Sequence, residues 1–319
     1  MSKQASKRQQ KKQLLVERTA RALSVAQDEA ERLLSITREQ SVRVNSPLLP
    51  SDDKAAIKET YRTFAWYSDG LHVDGEQLEV LKNSSLVSEG KLYIQNAASW
   101  IPVLALDPKA TEQILDMCAA PGGKTSHIAQ LSRNQAHIIA NDNSKPRLHK
   151  LESNLARMGA SSVECTLFDA TQLSRHFPEE SFDKILLDAP CSGEGMMTLT
   201  EDKLFDSWSV AHIKRLQQLQ KRLIVQAWRL LKPGGTLVYS TCTIAPDENE
   251  AVVDYLLRHN ENATIVEPEL FDRFTNRSKC VLNWNDRSYA AEVSGTLRLA
   301  PSNAIEAFYV AVIKKAGHS

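Results

Sequence analysis

The sequence has 319 residues and lacks any apolar run of about 18 residues, the length that a membrane-spanning helix needs. Its N-terminus is polar and has no apolar segment of the kind found in secretory leaders. No membrane association is therefore expected, and a cytoplasmic protein is. Net charge is missing as well, with 39 Lys and Arg against 39 Asp and Glu. Cysteine is scarce and odd in number, five in all, with no tight repeated spacing. That excludes a disulfide framework and fits a reducing compartment. Neither H-x-x-x-H nor a paired C-x-x-C occurs, so no metal is expected. The dinucleotide pattern G-x-G-x-x-G is absent too. Gly122-Gly123-Lys124-Thr125 tempts a phosphate-loop reading, but that motif needs glycine where Cys118 stands. A nucleotide hydrolase is disfavoured on that ground.

What is present is ordinary globular composition, 42% hydrophobic and 24% charged, enough for one large or two modest domains. Zero net charge hides a local excess: Lys3, Lys7, Arg8, Lys11, Lys12, Arg18 and Arg21 stand against Glu17 alone. This stretch reads either as a solvated tail or as an arm tethering RNA phosphates. Leu14, Leu15, Ala22, Leu23, Ala26, Ala30, Leu33 and Leu34 recur at rough helical spacing. Ser41–Asn45 alternates like a short strand, and Pro47 and Pro50 end it. Residues 1–95 are assigned to an N-terminal module of mixed α+β structure, and 96–319 to a second domain.

From residue 96 the pattern becomes regular. Strands are predicted at 113–117, 137–141, 163–167, 183–188 and 235–240, with helices at 123–132, 145–158, 208–231 and 247–259. Ala307–Ile313 closes the chain as an apolar strand. Alternation of this kind predicts an α/β fold with a mostly parallel sheet. Such sheets place ligands at strand ends. The first strand opens into Cys118-Ala119-Ala120-Pro121-Gly122-Gly123-Lys124, a small-residue turn at a helix start that lets backbone approach a ligand closely. Asp142 ends the second strand and suits a pair of ribose hydroxyls. Asp169 follows the third and suits an adenine amino group. Asp188 ends the fourth, beside Pro190-Cys191. A small-residue loop followed by three strand-end carboxylates describes a pocket for S-adenosylmethionine. Cys191 and Cys242 each follow an apolar run and lie 51 residues apart. Cys165 and Cys280 read as small buried hydrophobes, and Cys118 as a packing residue of its loop.

Three long segments carry a resemblance. Asp116–Thr125, Asp188–Gly195 and Tyr239–Thr243 are similar to the signature motifs of the Sun/Nop-type (RsmB/Nop) RNA 5-methylcytosine methyltransferases, most like bacterial rRNA members. Asn141–Ser144 with Arg147, Lys232–Gly235 and Asp247–Glu250 match less strongly. The resemblance runs from about Tyr93 to the C-terminus. It implies a Rossmann-like methyltransferase fold with a seven-stranded, mostly parallel sheet and helices on both faces. It also implies S-adenosylmethionine as cofactor, S-adenosylhomocysteine as product, and contacts to the cofactor from residues 118–124, Asp142, Arg147, Asp169 and Asp188. Cys242 matches the family nucleophile, Cys191 the second cysteine that assists release, and Lys124 and Asp188 the groups that position and polarise the base. Val42–Ser46 resembles the start of a partial RNA-recognition subdomain.

The chemistry accounts for two thiols independently. Carbon 5 of cytosine is a poor nucleophile, and a thiolate adding at carbon 6 makes it enamine-like. An acid near ring nitrogen 3 stabilises the adduct, a role open to a protonated Asp188. The base must be single-stranded or flipped out. Arg147, Lys150 and Arg157 on one helix, Trp208 and the N-terminal module are the candidate RNA contacts. The expected activity is RNA cytosine-5 methylation by a monomer, with ribosomal RNA favoured and tRNA the alternative. A DNA methyltransferase would use Cys191, the cysteine of its Pro-Cys pair, as nucleophile, and the second thiol argues against it. A non-catalytic ribosome-assembly protein is the remaining alternative, and no lost chemical position supports it.

Overall fold

In the computed structural model, which describes residues 3–317, the chain opens with α1 (Lys3–Leu23) and α2 (Gln27–Leu34). Leu15, Ala22, Ala30 and Leu34 are buried, as their helical spacing predicts. The core they enter is built with distant residues, among them Met197, Phe205, Trp208, Ile244 and Trp284. Basic side chains of α1 follow the same route. Arg8 forks onto Asp206 at 2.7 Å, and Lys11 Nζ donates to the Phe205 carbonyl at 2.6 Å. Lys12 meets Asp202 at 2.7 Å, and buried Arg18 meets Asp247 at 2.7 Å. Arg21 lies 4.4 Å from the centroid of the Trp284 ring. Neither a solvated tail nor a free phosphate arm describes these five residues, because carboxylates, a carbonyl and a ring from beyond residue 200 engage them.

Four strands, β1 (Gln40–Val44), β2 (Thr63–Phe64), β3 (Tyr67–Val73) and β4 (Leu92–Ile94), form an antiparallel sheet in the order β2-β3-β1-β4. Helices α3 (Ser51–Thr60), α4 (Gly75–Lys82) and α5 (Ser85–Ser88) accompany it. Asp74 and Gln77 close a capping box at the start of α4, which fixes where that helix begins. Side chains alternate along β1. Val42 and Val44 join Leu71, Val73, Leu78, Leu81 and Leu92 in a small core, while fully buried Arg43 reaches into the second domain.

Beyond α6 (Ile101–Leu106) the chain alternates: β5 (Gln113–Asp116), α7 (Gly123–Leu131), β6 (His137–Asn141), α8 (Lys145–Arg157), β7 (Val163–Thr166) and β8 (Phe182–Asp188). Then come α9 (Leu204–Ser207), α10 (Val210–Leu230), β9 (Leu231–Thr241) and α11 (Glu250–His259). Short strands β10 (Ala263–Val266), β11 (Arg277–Ser278), β12 (Asn283–Trp284), β13 (Arg287–Ser288) and β14 (Leu297–Leu299) precede the long β15 (Phe308–Lys315). The main sheet runs β11-β14-β15-β9-β8-β5-β6-β7, with β10 also on β15. Strands β5 to β9 are mutually parallel, and β15 enters antiparallel. The six strands placed from the sequence are present as β5 to β9 and β15, and β10, which the sequence did not announce, completes the seven that the resemblance implies. The sheet has nine because β11 and β14 add two and three residues, too few to show a period in sequence.

Both faces of this sheet are covered, which is why β8 reads as a continuous apolar run. Leu115, Ile185, Leu187 and Tyr239 pack under Leu223, Ile224 and Ala227 of α10 and Val252, Val253 and Leu256 of α11. Their strand neighbours Ile114, Leu186 and Val238 face the other way, with Ile101, Val103 and Leu106 of α6 and Ile128 of α7. The chain moves from β5 outward to β7, then returns to β8 and β9 on the opposite side of β5. This reversal is the switch point where open α/β sheets hold their ligands.

Candidate active site

The site gathers at the ends of β5, β8 and β9. After β5 the backbone turns through residues 118–122 into α7. Gly122 has φ +104°, a conformation that favours glycine, and a Cβ there would lie 2.8 Å from Leu151 Cδ1. A Cβ on Gly123 would lie 2.8 Å from Gln95 Nε2 and 3.0 Å from Tyr93 Cε1. The glycines thus let the start of α7 sit against β4 and α8. The cavity beside this loop is lined by Tyr93, Gln95, Asp116, Cys118, Lys124 and Asp188, among others. Cys118 is partly buried, and burial, then Asp116, pushes its thiol far above the ordinary range.

Asp116 is fully enclosed. Its Oδ2 accepts from Thr125 Oγ1 at 2.7 Å, its Oδ1 has no partner, and burial pushes its pKa up to about 7. Asp142, at the end of β6, is also buried. Its Oδ1 accepts from the Ser144 N–H at 3.0 Å, while Oδ2 makes no hydrogen bond. Arg147 comes within 3.3 Å of that oxygen without hydrogen-bond alignment, and donates instead to the Ala120 carbonyl at 2.8 Å. A buried carboxylate oxygen left open is what a hydroxyl-bearing ligand would complete. Asp169 differs. It is exposed, and its carboxylate accepts from Thr171 N–H and Oγ1 at 2.9 and 2.8 Å and from Gln172 Nε2 at 3.1 Å. It caps its own turn, and neither it nor Asp142 lines the cavity at the loop; what separates them is the carboxylate oxygen that Asp142 leaves open.

Register explains the catalytic pair. Asp188 on β8 stands beside Ser240 on β9, and Ser240 Oγ donates to Asp188 Oδ1 at 2.7 Å. The other oxygen, Oδ2, meets Lys124 Nζ at 2.8 Å. Burial opposes charge on Lys124, but the charge and hydrogen bond of Asp188 outweigh it and hold its pKa above the usual value. Both strands then release loops that bring Cys191 Sγ to 3.3 Å from Cys242 Sγ. The hydrogen bond with Cys242, then burial, pushes the Cys191 thiol well up.

Side chains quoted from the sequence without an assigned role hold these loops. Glu248 accepts from the Ser192 N–H at 2.9 Å and from Gln220 Nε2 at 2.9 Å, and burial pushes its pKa up to about 7. Asn249 accepts from Thr241 Oγ1 and donates to the Thr243 carbonyl at 2.9 Å, flanking Cys242 on both sides. Asp247 binds Arg18 and the Trp284 indole, and Glu250 binds Arg298. Glu194 is buried and takes the Trp208 indole N–H at 3.0 Å. Gly195 N–H donates to the Cys242 carbonyl at 2.9 Å, and a Cβ on Gly195 would lie 2.1 Å from the Ala307 carbonyl oxygen. Four successive polar residues opening an apolar helix were the available signal for this scaffold.

Of the expected RNA contacts, one lies inside the fold and another, Arg157, is partly buried and engaged by the protein. Trp208 is buried on Glu194 and offers no stacking face. Arg157 is held by the Val87 carbonyl at 2.9 Å and by Asn154, whereas Lys150 and Arg147 are exposed. Arg43, in the segment resembling an RNA-recognition subdomain, donates to Ser126 Oγ at 2.7 Å and to Gln130, and ties β1 to α7. His127 is buried against the Tyr67 hydroxyl at 2.9 Å, and burial holds its pKa well below the usual value. Among the described residues no His, Cys, Asp and Glu group has the arrangement of a metal cage, and no helix is long and apolar enough to cross a membrane.

Comparison with known proteins places this architecture. The tRNA (cytosine(49)-C(5))-methyltransferase of Pyrococcus abyssi is 44% identical over 229 residues, covering 72% of this chain and 71% of that protein. The ribosomal RNA small subunit methyltransferase F of Shewanella oneidensis is 40% identical over 241 residues, covering 73% of this chain. The match takes in 50% of that enzyme, so the chain spans about half the length of this bacterial relative. A methyltransferase homologue from Pyrococcus horikoshii has the same fold, with TM-score 0.74 and 28% identity over 94% of this chain and 98% of its own. The family described as 16S rRNA methyltransferase RsmB/F matches residues 103–314, the span that holds both thiols, the loop and all three strand-end carboxylates, and the chain belongs to that family.

Proposed function

We propose that this chain is an S-adenosylmethionine-dependent RNA cytosine-5 methyltransferase that works through a covalent cysteine–carbon 6 adduct. The observation that carries this reading is the thiol pair, 3.3 Å apart, beside the Lys124–Asp188 pair and the glycine loop. The cofactor fits the open Oδ2 of Asp142 and the cavity beside the loop 118–124. When bound there, it supplies an electrophilic methyl group. Asp169 is a weaker candidate for the adenine, because its carboxylate already caps a turn.

Cys242 attacks carbon 6 of the flipped cytosine. Lys124, held on Asp188 Oδ2, supplies the positive charge and N–H donor that stabilise charge developing at ring nitrogen 3. Carbon 5, now enamine-like, would take the methyl group that the cofactor supplies; its proton would then pass to water as the carbon 5–carbon 6 double bond re-forms and the carbon 6–sulfur bond breaks. Cys191, kept as a thiol, protonates the departing Cys242 sulfur and so assists release. Residues 1–95 act as the RNA-facing module. They do so as part of one body with residues 96–319, since α1 and β1 pack into the second domain.

The family description and the bacterial relative favour ribosomal RNA, while the more similar archaeal relative favours tRNA. Free cysteines among the described residues fit a reducing, cytoplasmic setting. Mapping 5-methylcytosine by bisulfite sequencing of rRNA and tRNA, with and without the gene, tests the reading. One defined cytosine should lose its methyl group. An unchanged map in both RNA classes would reject the function, and restoration by the Cys242→Ala protein would favour a non-catalytic assembly role.

A further inference from the structure

Beside the catalytic cavity lies a second, larger one of about 550 Å³, within the span of about 300–1,000 Å³ usual for small-ligand sites. Its walls come from four segments: the linker from α2 to β1, the turn after β4, the loop after Cys191, and the stretch before β15. The polar lining includes Arg38, Gln95, Asn96, Thr198 and Glu306. Met196 adds an apolar side chain that is 52% exposed. Gln95 lines this cavity and the catalytic one, so the two are neighbours. Backbone hydrogen bonds clamp the walls: Glu39 N–H donates to the Asn303 carbonyl at 2.7 Å, and Leu199 N–H to the Leu34 carbonyl at 3.1 Å. The space is preformed, and the mechanism above does not use it.

Two features of the lining are unfinished. Arg38 Nε and Nη2 are buried and have no hydrogen-bond partner. These two nitrogens form one edge of the guanidinium, the fork that matches a pair of adjacent acceptors. Glu306 is 5% exposed and forms neither an ion pair nor a side-chain hydrogen bond, and burial raises its pKa to about 7 while the charges of Arg38 and Lys124 oppose that rise. The cavity therefore offers a two-donor fork and a carboxylate acceptor, with amides and hydroxyls between them. Buried polar groups of this kind call for a partner.

We propose that this cavity is a nucleobase subsite that holds a guanine of the RNA next to the target cytosine. The proposal rests on the RNA-methyltransferase reading and deepens it. Guanine presents O6 and N7 as adjacent acceptors for an arginine fork. Its opposite edge carries N1–H and N2–H donors, which suit the Glu306 carboxylate. Adenine sets an amino donor where the fork needs an acceptor, and the pyrimidines lack N7. A phosphate would satisfy Arg38, but Glu306 and Glu201 in the same lining would repel it. Bases splayed out of single-stranded RNA are read in this way, by hydrogen bonds to their edges and by stacking on side chains such as exposed Met196.

The test uses the full chain and short single-stranded RNAs containing one cytosine, with each base in turn on its 5′ and 3′ sides. Binding is read by fluorescence anisotropy, which needs no catalysis. Guanosine at one flanking position should tighten binding by about tenfold over the other bases, and 7-deazaguanosine there should lose most of that gain. Arg38→Ala and Arg38→Lys should both erase the preference, with S-adenosylmethionine affinity by calorimetry unchanged as the check on folding. Equal binding of all bases, or a guanosine preference that survives in Arg38→Ala, overturns the subsite. Methyl transfer is scored separately on the same RNAs. Transfer with no base preference removes the subsite alone, and a guanosine preference without transfer supports the subsite while removing the proposed activity.

Discussion

Cys191 Sγ lies 3.3 Å from Cys242 Sγ, and the two loops that carry them start from neighbouring strand ends. The hydrogen bond with Cys242, then burial, raises the Cys191 thiol, which suits it to give a proton rather than to attack. Cys242→Ala should therefore abolish methyl transfer. Cys191→Ala should leave attack possible and slow release, so that a protein–RNA adduct accumulates on a denaturing gel. Reversed roles in that assay would favour the Pro-Cys type of nucleophile and refute the assignment.

Asp142 keeps one buried carboxylate oxygen without a hydrogen bond, at a strand end beside the glycine loop. Asp142→Ala should weaken S-adenosylmethionine binding by about 10- to 100-fold in calorimetry, the scale of a charge-assisted hydrogen-bond pair worth about 1.5–3 kcal/mol. Asp169→Ala should change the same affinity far less, since that carboxylate serves Thr171 and Gln172. Equal losses in the two variants would restore Asp169 to the pocket.

The catalytic half was legible because its chemistry sits on short contiguous motifs at strand ends. An apolar strand, a small-residue turn and a helix start form one local unit, and Asp116 to Lys124 declare it within ten positions of each other. The supporting side chains were not legible, because their partners are far apart in sequence. Arg18 finds Asp247 across 229 positions, and Arg43 finds Gln130 across 87. No periodicity signals such pairs. Trp208 illustrates the converse error: an aromatic beside a catalytic loop suggests stacking, but its indole N–H completes the buried Glu194. Strands β11 and β14 escaped because two or three residues cannot display alternation.

The base of α1 should matter to the catalytic scaffold. Arg18 and Asp247 are paired at 2.7 Å with side chains 9% and 12% exposed, and Asp247 also takes the Trp284 indole at 2.9 Å. Removing one partner of a buried pair strands the other, at a cost of about 3 kcal/mol. Arg18→Ala should lower the urea midpoint by that equivalent, and Asp247→Asn on the same background should recover part of it. An Arg18→Ala protein as stable as the parent would show that α1 is an appendage after all.

Glu248 makes stability depend on pH through the Cys191 loop. Burial raises its pKa to about 7 in the fold, against 4.5 for an ordinary glutamate. Between those values the folded chain keeps a proton that the unfolded chain has lost. The stabilisation is therefore complete below about pH 4.5 and is lost as pH rises through 7. Buried His127 has the opposite slope, because its depressed pKa means that the unfolded chain takes up a proton first below about pH 6.5. The informative quantity is therefore the difference between the parent and Glu248→Gln, whose amide keeps an acceptor for the Ser192 N–H and does not titrate. Unfolding free energies from urea titrations at pH 5.5 and 8 should fall by about 1–3 kcal/mol more in the parent than in the variant. Parallel pH profiles for the two proteins would mean that Glu248 is already ionised in the fold, and that Ser192 N–H and Gln220 hold a carboxylate rather than a carboxylic acid.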